Sequence, residues 1–370
     1  MKKMFRDYKI MKFKKNKNYI KLKNIPKKEE KFTFDIGVAI LRPILAFLVI
    51  ITHCYNINNA KGKWKEISVK TDAFWFHIPT FFIISFYFSY KTLISSNYKK
   101  KFERIQRLFI PYFLWPIIIF LLNKFLYKYS ITKNVITFEH LKFQLLYGAG
   151  KMDMNILWYH WNLIIITILF IIIIFIFKKI YNFIFIIMTI FSYIYQYNGK
   201  NKSYFSKYKD QRNFVFGRIL EMIPFAVIGF LLSYSGIINF LKKYPLKVII
   251  TFIYFFYFII NYQVIYISKG FDYHGIKKFI MANCIFITFE MFPSEKFNNK
   301  ITIKIIKQIT SYTAGIYFIH IKLYVYISNY IKCIKQKTLK GCIIIYLLCY
   351  LISFFGILIF GKTKLKHLFN

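Results

Sequence analysis

Apolar segments of about 17–25 residues recur along nearly the whole chain, starting with FDIGVAILRPILAFLVIITHCYNI at residues 34–57. A segment of this length crosses a bilayer as a helix, because the hydrocarbon core holds no water to satisfy backbone polar groups. The composition agrees: 57% of the residues are hydrophobic, whereas soluble domains hold about 45–50%. The sequence therefore predicts an all-α polytopic membrane protein.

We expect about ten transmembrane helices. Their approximate ranges are 35–57, 74–95, 108–128, 156–177, 180–198, 214–236, 245–267, 276–292, 309–330 and 341–361. The domain organisation follows: a basic tail over 1–34, a transmembrane domain over 35–361 and a short basic C-terminal tail over 362–370. Lys and Arg concentrate in the first tail and in YKKKFERIQR after the second span. Because cytoplasmic loops carry excess Lys and Arg, we expect a multi-pass protein of the cell membrane with both termini cytoplasmic.

The remaining composition excludes several function classes. The net charge is +41, with no nucleic-acid-binding motif beside it, so we expect no nucleic acid partner and interpret the charge as membrane-surface binding and codon bias. None of the five cysteines forms a CxxC pair, and most lie in or beside apolar segments. We therefore predict buried or lipid-facing cysteines and no metal site.

Two ionisable residues, Arg42 and His53, lie inside the first apolar segment. Eleven helical steps of 100° bring both side chains to one face, about 16 Å apart along the axis. An ionisable residue within a membrane helix is a candidate functional residue by default. Alternatives are a structural arginine paired with a carboxylate and a histidine at the membrane interface. Pro43 cannot donate to the carbonyl of Ala39, so it can kink or locally open this helix.

Further candidates lie near other spans. They are His77, Ser85, Arg104, Arg107, Trp158, His160, Arg218, Glu221, Glu290 and His320. The two arginines of the loop KKKFERIQRLFIPY could bind donor phosphates, but a positive-inside loop would look the same. We interpret the tryptophans of LWYHW as interfacial belt residues. The i,i+3 spacing of Arg218 and Glu221 favours a structural ion pair.

Five strings in order along residues 35–360 resemble the acyltransferase-3 family of integral membrane acyltransferases, which mostly O-acetylate cell-surface polysaccharides. The strings are RPILAFLVIITH, HIPTFFIIS, RIQRLFIPYFLW, ILWYHWNLI and SYTAGIYFIH. The spacing between the arginine and histidine of the first string is the most specific element. One departure concerns the second string: family members usually have Ser-Gly there, and this chain has Ser85 followed by Phe86.

The resemblance implies the chemistry. Arg42 and His53 would be the essential pair, and acetyl-CoA would be the donor substrate, reached from the cytoplasm, with no bound cofactor. Arg107, with Arg104, would help to hold that donor, and His320 ends the family's IYFIH string. The acceptor would be a hydroxyl of a cell-surface or lipid-linked saccharide. Interior charges and basic loops also fit a transporter or flippase for a lipid-linked glycan, or a polysaccharide polymerase.

Overall fold

The structure is a computed structural model. It describes residues 35–54, 76–129, 136–148, 157–200, 211–262, 276–292, 299–328, 330–335 and 338–368. The predicted basic tail over 1–34 lies outside these residues. Within the described ranges every regular element is a helix and no strand is present, so the all-α prediction is confirmed.

Fourteen α-helices follow one another in the described ranges. They are α1 Ile36–Cys54, α2 His77–Ile94, α3 Tyr98–Lys128, α4 Phe138–Tyr147, α5 Leu157–Ile176, α6 Tyr181–Lys200, α7 Gln211–Ser235, α8 Ile237–Leu241, α9 Pro245–Tyr262, α10 Ile276–Glu290, α11 Lys300–Ser311, α12 Thr313–Ile327, α13 Lys332–Lys335 and α14 Leu339–Phe360. A 3-10 helix, Lys364–Leu368, follows α14.

Five helices in the described ranges are long and apolar enough to cross a membrane: α1, α3, α5, residues Gly217–Ser235 of α7, and α14. Three shorter apolar stretches lie in α6, α9 and α12. The two remaining predicted spans, 74–95 and 276–292, coincide with α2, which is rich in hydroxyl groups, and with α10, which has 15 residues. The structure thus supports a multi-pass helical protein but does not confirm the number ten.

Helix α1 lies at the centre of the bundle. It packs against α2, α10, α11, α12 and α14. Ala46 and Val49 lie between Arg42 and His53 on the same stripe of the helix, and both are fully buried. The stripe that carries the two ionisable residues therefore faces the protein interior for most of its length.

The proline in α1 opens one backbone hydrogen bond without ending the helix. Pro43 has no N–H to donate to the carbonyl of Ala39, four residues earlier. The hydroxyl of Thr310, near the end of α11, donates to that carbonyl instead, at 2.7 Å. This contact between α1 and α11 lies less than one turn from Arg42, so it also fixes the backbone that carries the guanidinium group.

A polar cluster closes the same end of α1. Asp35 caps the helix by accepting from the Val38 amide at 2.9 Å. Lys242 lies 3.0 Å from the Glu290 carboxylate and 3.7 Å from that of Asp35, and Tyr87 donates to Glu290 at 3.0 Å. Glu290, which the sequence marked as an interior candidate, thus joins α2 and α10 to the residue after α8.

Helix α3 begins ten residues before the span predicted at 108–128. Asn97 caps it by accepting from the Lys100 amide at 3.2 Å. Arg104 and Arg107 therefore lie on a helix, and the prediction that they lie in a loop is wrong.

At the other end of the chain, the segment predicted as a short tail is folded. The Trp115 indole on α3 donates to the carbonyl of Leu368 at 3.0 Å, and the Leu368 side chain is buried.

Replacing Thr310 by valine should destabilise the protein, because the shape is kept while the Ala39 carbonyl loses its partner. We expect about 1–3 kcal/mol, the cost of an unsatisfied buried polar group. Thr310→Ser keeps the hydroxyl and serves as the matched control. Thermal denaturation in detergent measures the effect, and a valine variant as stable as the serine variant would contradict it.

Candidate functional site

Two arginines from different helices converge on one phenol. Arg42 on α1 and Arg104 on α3 both lie within electrostatic range of the Tyr159 hydroxyl on α5. Tyr159 is 7% exposed, so this residue is held inside the bundle. Arg42 and Arg104 are 62 positions apart in the sequence, and the packing of α1, α3 and α5 brings both near Tyr159.

Residues of α2 hold the Arg104 side chain in place. A terminal nitrogen of its guanidinium group donates to the Ser85 hydroxyl at 3.0 Å. The Ser89 hydroxyl donates in turn to the carbonyl of Ser85. The guanidinium carbon also lies 5.7 Å from the centre of the Phe86 ring, within the range of a cation–π contact. Phe86, the departure from the family's usual Ser-Gly, therefore supports the candidate site.

Among the described residues, no carboxylate pairs with Arg42, Arg104 or Arg107. The alternative of a structural ion pair for Arg42 therefore finds no support in these ranges. A guanidinium group within the membrane is costly unless something compensates its charge. Two convergent groups of this kind make a site for an anionic or strongly polar ligand group.

Arg107, one turn further along α3, lies at the edge of this site. It is exposed, and its Nε donates to the carbonyl of Glu103 at 3.3 Å. It lies close enough to Arg104 to interact with it electrostatically. Its positive charge also reaches the C-terminal 3-10 helix: partial burial first, then Lys366 and Arg107, lower the pKa of His367 below its usual value. Positive charge thus continues from the half-buried Arg42 and Arg104 to an exposed surface.

Histidines from three helices meet at the far end of the α1 stripe. The rings of His53 on α1 and His320 on α12 lie 5.5 Å apart between centroids. His77, the first residue of α2, interacts electrostatically with both. His53 is exposed, whereas His77 and His320 are fully buried. The structure therefore brings together three of the predicted residues, one accessible in the described ranges and two behind it.

An aromatic layer connects the arginines to the histidines. Tyr159 lies 5.2 Å from Tyr317 between ring centroids, and Tyr317 lies 6.1 Å from His320. His160 packs beside them, with its ring 4.3 Å from that of Phe318. Rings packed at these distances exclude water, which strengthens the electrostatic interactions within the site.

The pair Arg218 and Glu221 has a structural role apart from this site. The guanidinium group lies 3.1 Å from the carboxylate on α7, as the i,i+3 spacing predicted. It also lies 5.3 Å from the Trp158 ring centre. Trp158 is 7% exposed, so most of its surface contacts protein neighbours, among them Arg218. Its interpretation as an interfacial belt residue stays a prediction.

Sequence reasoning missed two tyrosines of the site. Tyr159 lies between residues of LWYHW that were singled out for their own chemistry, and Tyr317 lies within IYFIH. The available signal was helical spacing: Tyr317 precedes His320 by three residues, so they share a helix face. Thirty-one tyrosines in the chain conceal such a signal.

The described residues contain no group of three or more His, Cys, Asp or Glu side chains arranged to hold a metal ion. Four of the five cysteines are buried and the fifth, Cys333, is partly buried; all are free thiols. The guanidinium, phenol and imidazole groups gathered at the site can bind anions, donate hydrogen bonds and transfer protons.

Replacing Arg218 by methionine should destabilise the protein by about 3–5 kcal/mol, because it breaks the ion pair with the buried Glu221 carboxylate. The double variant Arg218→Met with Glu221→Leu should recover most of the loss, since it removes both charges. Thermal midpoints in detergent compare the two. A double variant no more stable than the single one would argue against a structural ion pair.

Comparison with known proteins places these residues in a family. A family model described as an acyltransferase domain matches residues 35–363, nearly the whole chain. No functionally characterised protein and no solved structure matches the sequence significantly. The match covers the helices that carry the arginines, the aromatic layer and the histidines. The chain belongs to the acyltransferase-3 family of membrane acyltransferases.

Proposed function

We propose that the protein transfers an acetyl group from acetyl-CoA to a hydroxyl of a cell-surface or lipid-linked saccharide. One observation carries the proposal: a single helix, α1, presents an arginine without a carboxylate partner in the described ranges and, on the same stripe, an accessible histidine. Binding of an anionic donor and activation of a hydroxyl need these two groups at different places.

The arginines are the donor-binding groups. Arg42 and Arg104 supply up to ten N–H donors around Tyr159, and Arg107 continues the positive charge to the surface. Guanidinium groups bind phosphate and polarised carbonyl oxygen well, because their planar donors match both. An extended pantetheine arm can bridge the roughly 16 Å between the levels of Arg42 and His53. Phosphates near the arginines would thus leave the thioester near the histidines.

His53 is the group that activates the acceptor. A neutral imidazole nitrogen removes the hydroxyl proton while the oxygen attacks the thioester carbonyl. The C–S bond breaks, and the thiolate of CoA takes the proton from the imidazolium to leave as a thiol. A second route is attack by His53 itself on the thioester carbonyl, which breaks the C–S bond, releases CoA as a thiol with the ring proton, and gives an acetyl-imidazole that the hydroxyl then cleaves. Both routes need His53 and both return it to the neutral form.

The topology that fits this chemistry has ten membrane crossings with both termini in the cytoplasm. The donor is a cytoplasmic metabolite, and the arginines lie toward the end of α1 that follows the basic residues 1–34. His53 lies toward the opposite side, where a surface or lipid-linked saccharide would arrive. A transporter or flippase is the second candidate, and it would not consume acetyl-CoA.

Replacing His53 by alanine should abolish acetylation of the host's surface glycan, with at least a hundredfold loss of released acetate, because no base or acyl carrier remains. The measurement is acetate released by alkali from purified glycan, compared with the deletion strain. His140→Ala, which changes a capping histidine on α4, is the matched control. Undiminished acetylation at normal protein levels in the His53 variant would refute the mechanism.

Replacing Arg42 or Arg104 by lysine should weaken donor binding while charge is retained, because lysine lacks the planar donors of guanidinium. We expect the KM for acetyl-CoA to rise about tenfold or more, the equivalent of about 1.4 kcal/mol. Thiol release by the purified protein measures it. An unchanged KM in both variants would show that the donor binds elsewhere.

A further inference from the structure

The hydrogen bonds of His320 determine which ring nitrogen carries the proton. Its Nδ1 lies 2.7 Å from the carbonyl oxygen of Tyr317 and 3.2 Å from that of Ile316. Both partners can only accept a hydrogen bond, so Nδ1 must be the donor. The Nε2 of the neutral ring is then an acceptor with a free lone pair.

That second nitrogen, Nε2, is buried, and no hydrogen bond to it is made within the described residues. The whole His320 residue is 0% exposed, so bulk water does not reach it. A buried acceptor left in this state costs free energy, and a donor that approaches it during the reaction would remove that cost. The ring next to His320 that can supply this donor is that of His53.

His53 can supply the donor. Its ring lies 5.5 Å from that of His320 between centroids, with 39° between the planes. At this separation a modest rotation of His53 brings one of its N–H groups to hydrogen-bond distance of Nε2. Catalytic hydrogen bonds are often longer in the free enzyme and tighten when substrate binds. His53 is the exposed member of the pair, so the acceptor hydroxyl reaches it first.

We propose that His320 is the positioning residue of His53: its Nε2 accepts a hydrogen bond from one ring nitrogen of His53, which leaves the other nitrogen to take the proton of the acceptor hydroxyl. The assignment rests on the proposed function. During the reaction His53 gains the hydroxyl proton and a positive charge, which the lone pair of His320 stabilises. The proton then passes to the CoA thiolate, while Nδ1–H of His320 stays bound to the backbone throughout.

An imidazole suits this position better than a carboxylate. The ring of His320 packs among the side chains of the aromatic layer, and no carboxylate interacts with His53 in the described ranges. A buried carboxylate would pay a large desolvation cost in the resting enzyme, whereas a neutral imidazole pays less and still accepts a hydrogen bond. His77 lies beside both rings and is the natural comparison for a merely structural histidine.

Two substitutions test the roles of the two ring nitrogens of His320 separately. His320→Asn can still donate to the Tyr317 carbonyl but has no atom at the position of Nε2. His320→Gln reaches that position with an amide oxygen that can accept from His53. The assay is acetyl transfer by the full-length purified protein from acetyl-CoA to host surface polysaccharide that alkali has stripped of O-acetyl groups. His140→Asn is the control.

We expect kcat to fall about a hundredfold or more in His320→Asn and only about tenfold in His320→Gln, the range typical of losses in proton-transfer geometry. The KM for acetyl-CoA should stay within about twofold in both, because the arginines are untouched. The thermal midpoints of the two variants should match. If the asparagine variant does not fold, the glutamine variant decides: a raised KM for acetyl-CoA or a lowered thermal midpoint overturns the role, and a kcat within about tenfold of the wild type at constant KM supports it.

Two other results overturn the assignment. One is an asparagine variant with the kcat of the wild type. The other is an equal loss in both variants together with a raised KM or a lowered thermal midpoint, which a structural histidine would produce. Failure of the proposed function would give a different result. The wild-type protein itself would transfer no acetyl group to the glycan, and the His53→Ala variant would show the same lack of transfer.

Discussion

The charge of Arg42 inside α1 is the constraint on which the surrounding structure depends. A guanidinium group cannot be neutralised by losing its proton, so the protein must compensate it or leave it for a ligand. No carboxylate does so in the described ranges, and the Tyr159 phenol lies within electrostatic range of the guanidinium group. An anionic ligand group can therefore supply the missing compensation when it binds.

The backbone near this charge is held by contacts that small residues and one proline make possible. A Cβ at Gly37 would meet the carbonyl of Phe289, so α1 and α10 pack at backbone distance. Gly229 approaches the backbone of Ile83 in the same way and brings α7 against α2. Close packing of small residues is what stabilises helices against each other in lipid. These contacts fix the positions of α1 and α2 within the bundle and, with them, the positions of the ionisable residues that the two helices carry.

The sequence was informative wherever a property belongs to a single helix. The shared face of Arg42 and His53, the opened bond at Pro43 and the ion pair on α7 all follow from spacing within one segment. Properties that arise between helices were out of reach. The hydrogen bond from Arg104, and not from Arg107, to Ser85 depends on how α3 packs against α2, and one sequence contains no record of that packing. The start of α3 at Tyr98 was missed for another reason: a basic, amphipathic extension lacks the apolar signal that marks a span.

The exposure of the three histidines distinguishes their roles. A base must meet its substrate, and among the three only His53 is exposed in the described ranges. A group that orients that base works best in a dry environment, where its hydrogen bond is strongest, and His320 is fully buried. The arginine end repeats the pattern, with Arg107 exposed and Tyr159 buried. At each end of the α1 stripe an accessible residue, Arg107 or His53, thus lies near buried residues that interact with it. A long ligand with an anionic end and a reactive end would meet an accessible group first at each end.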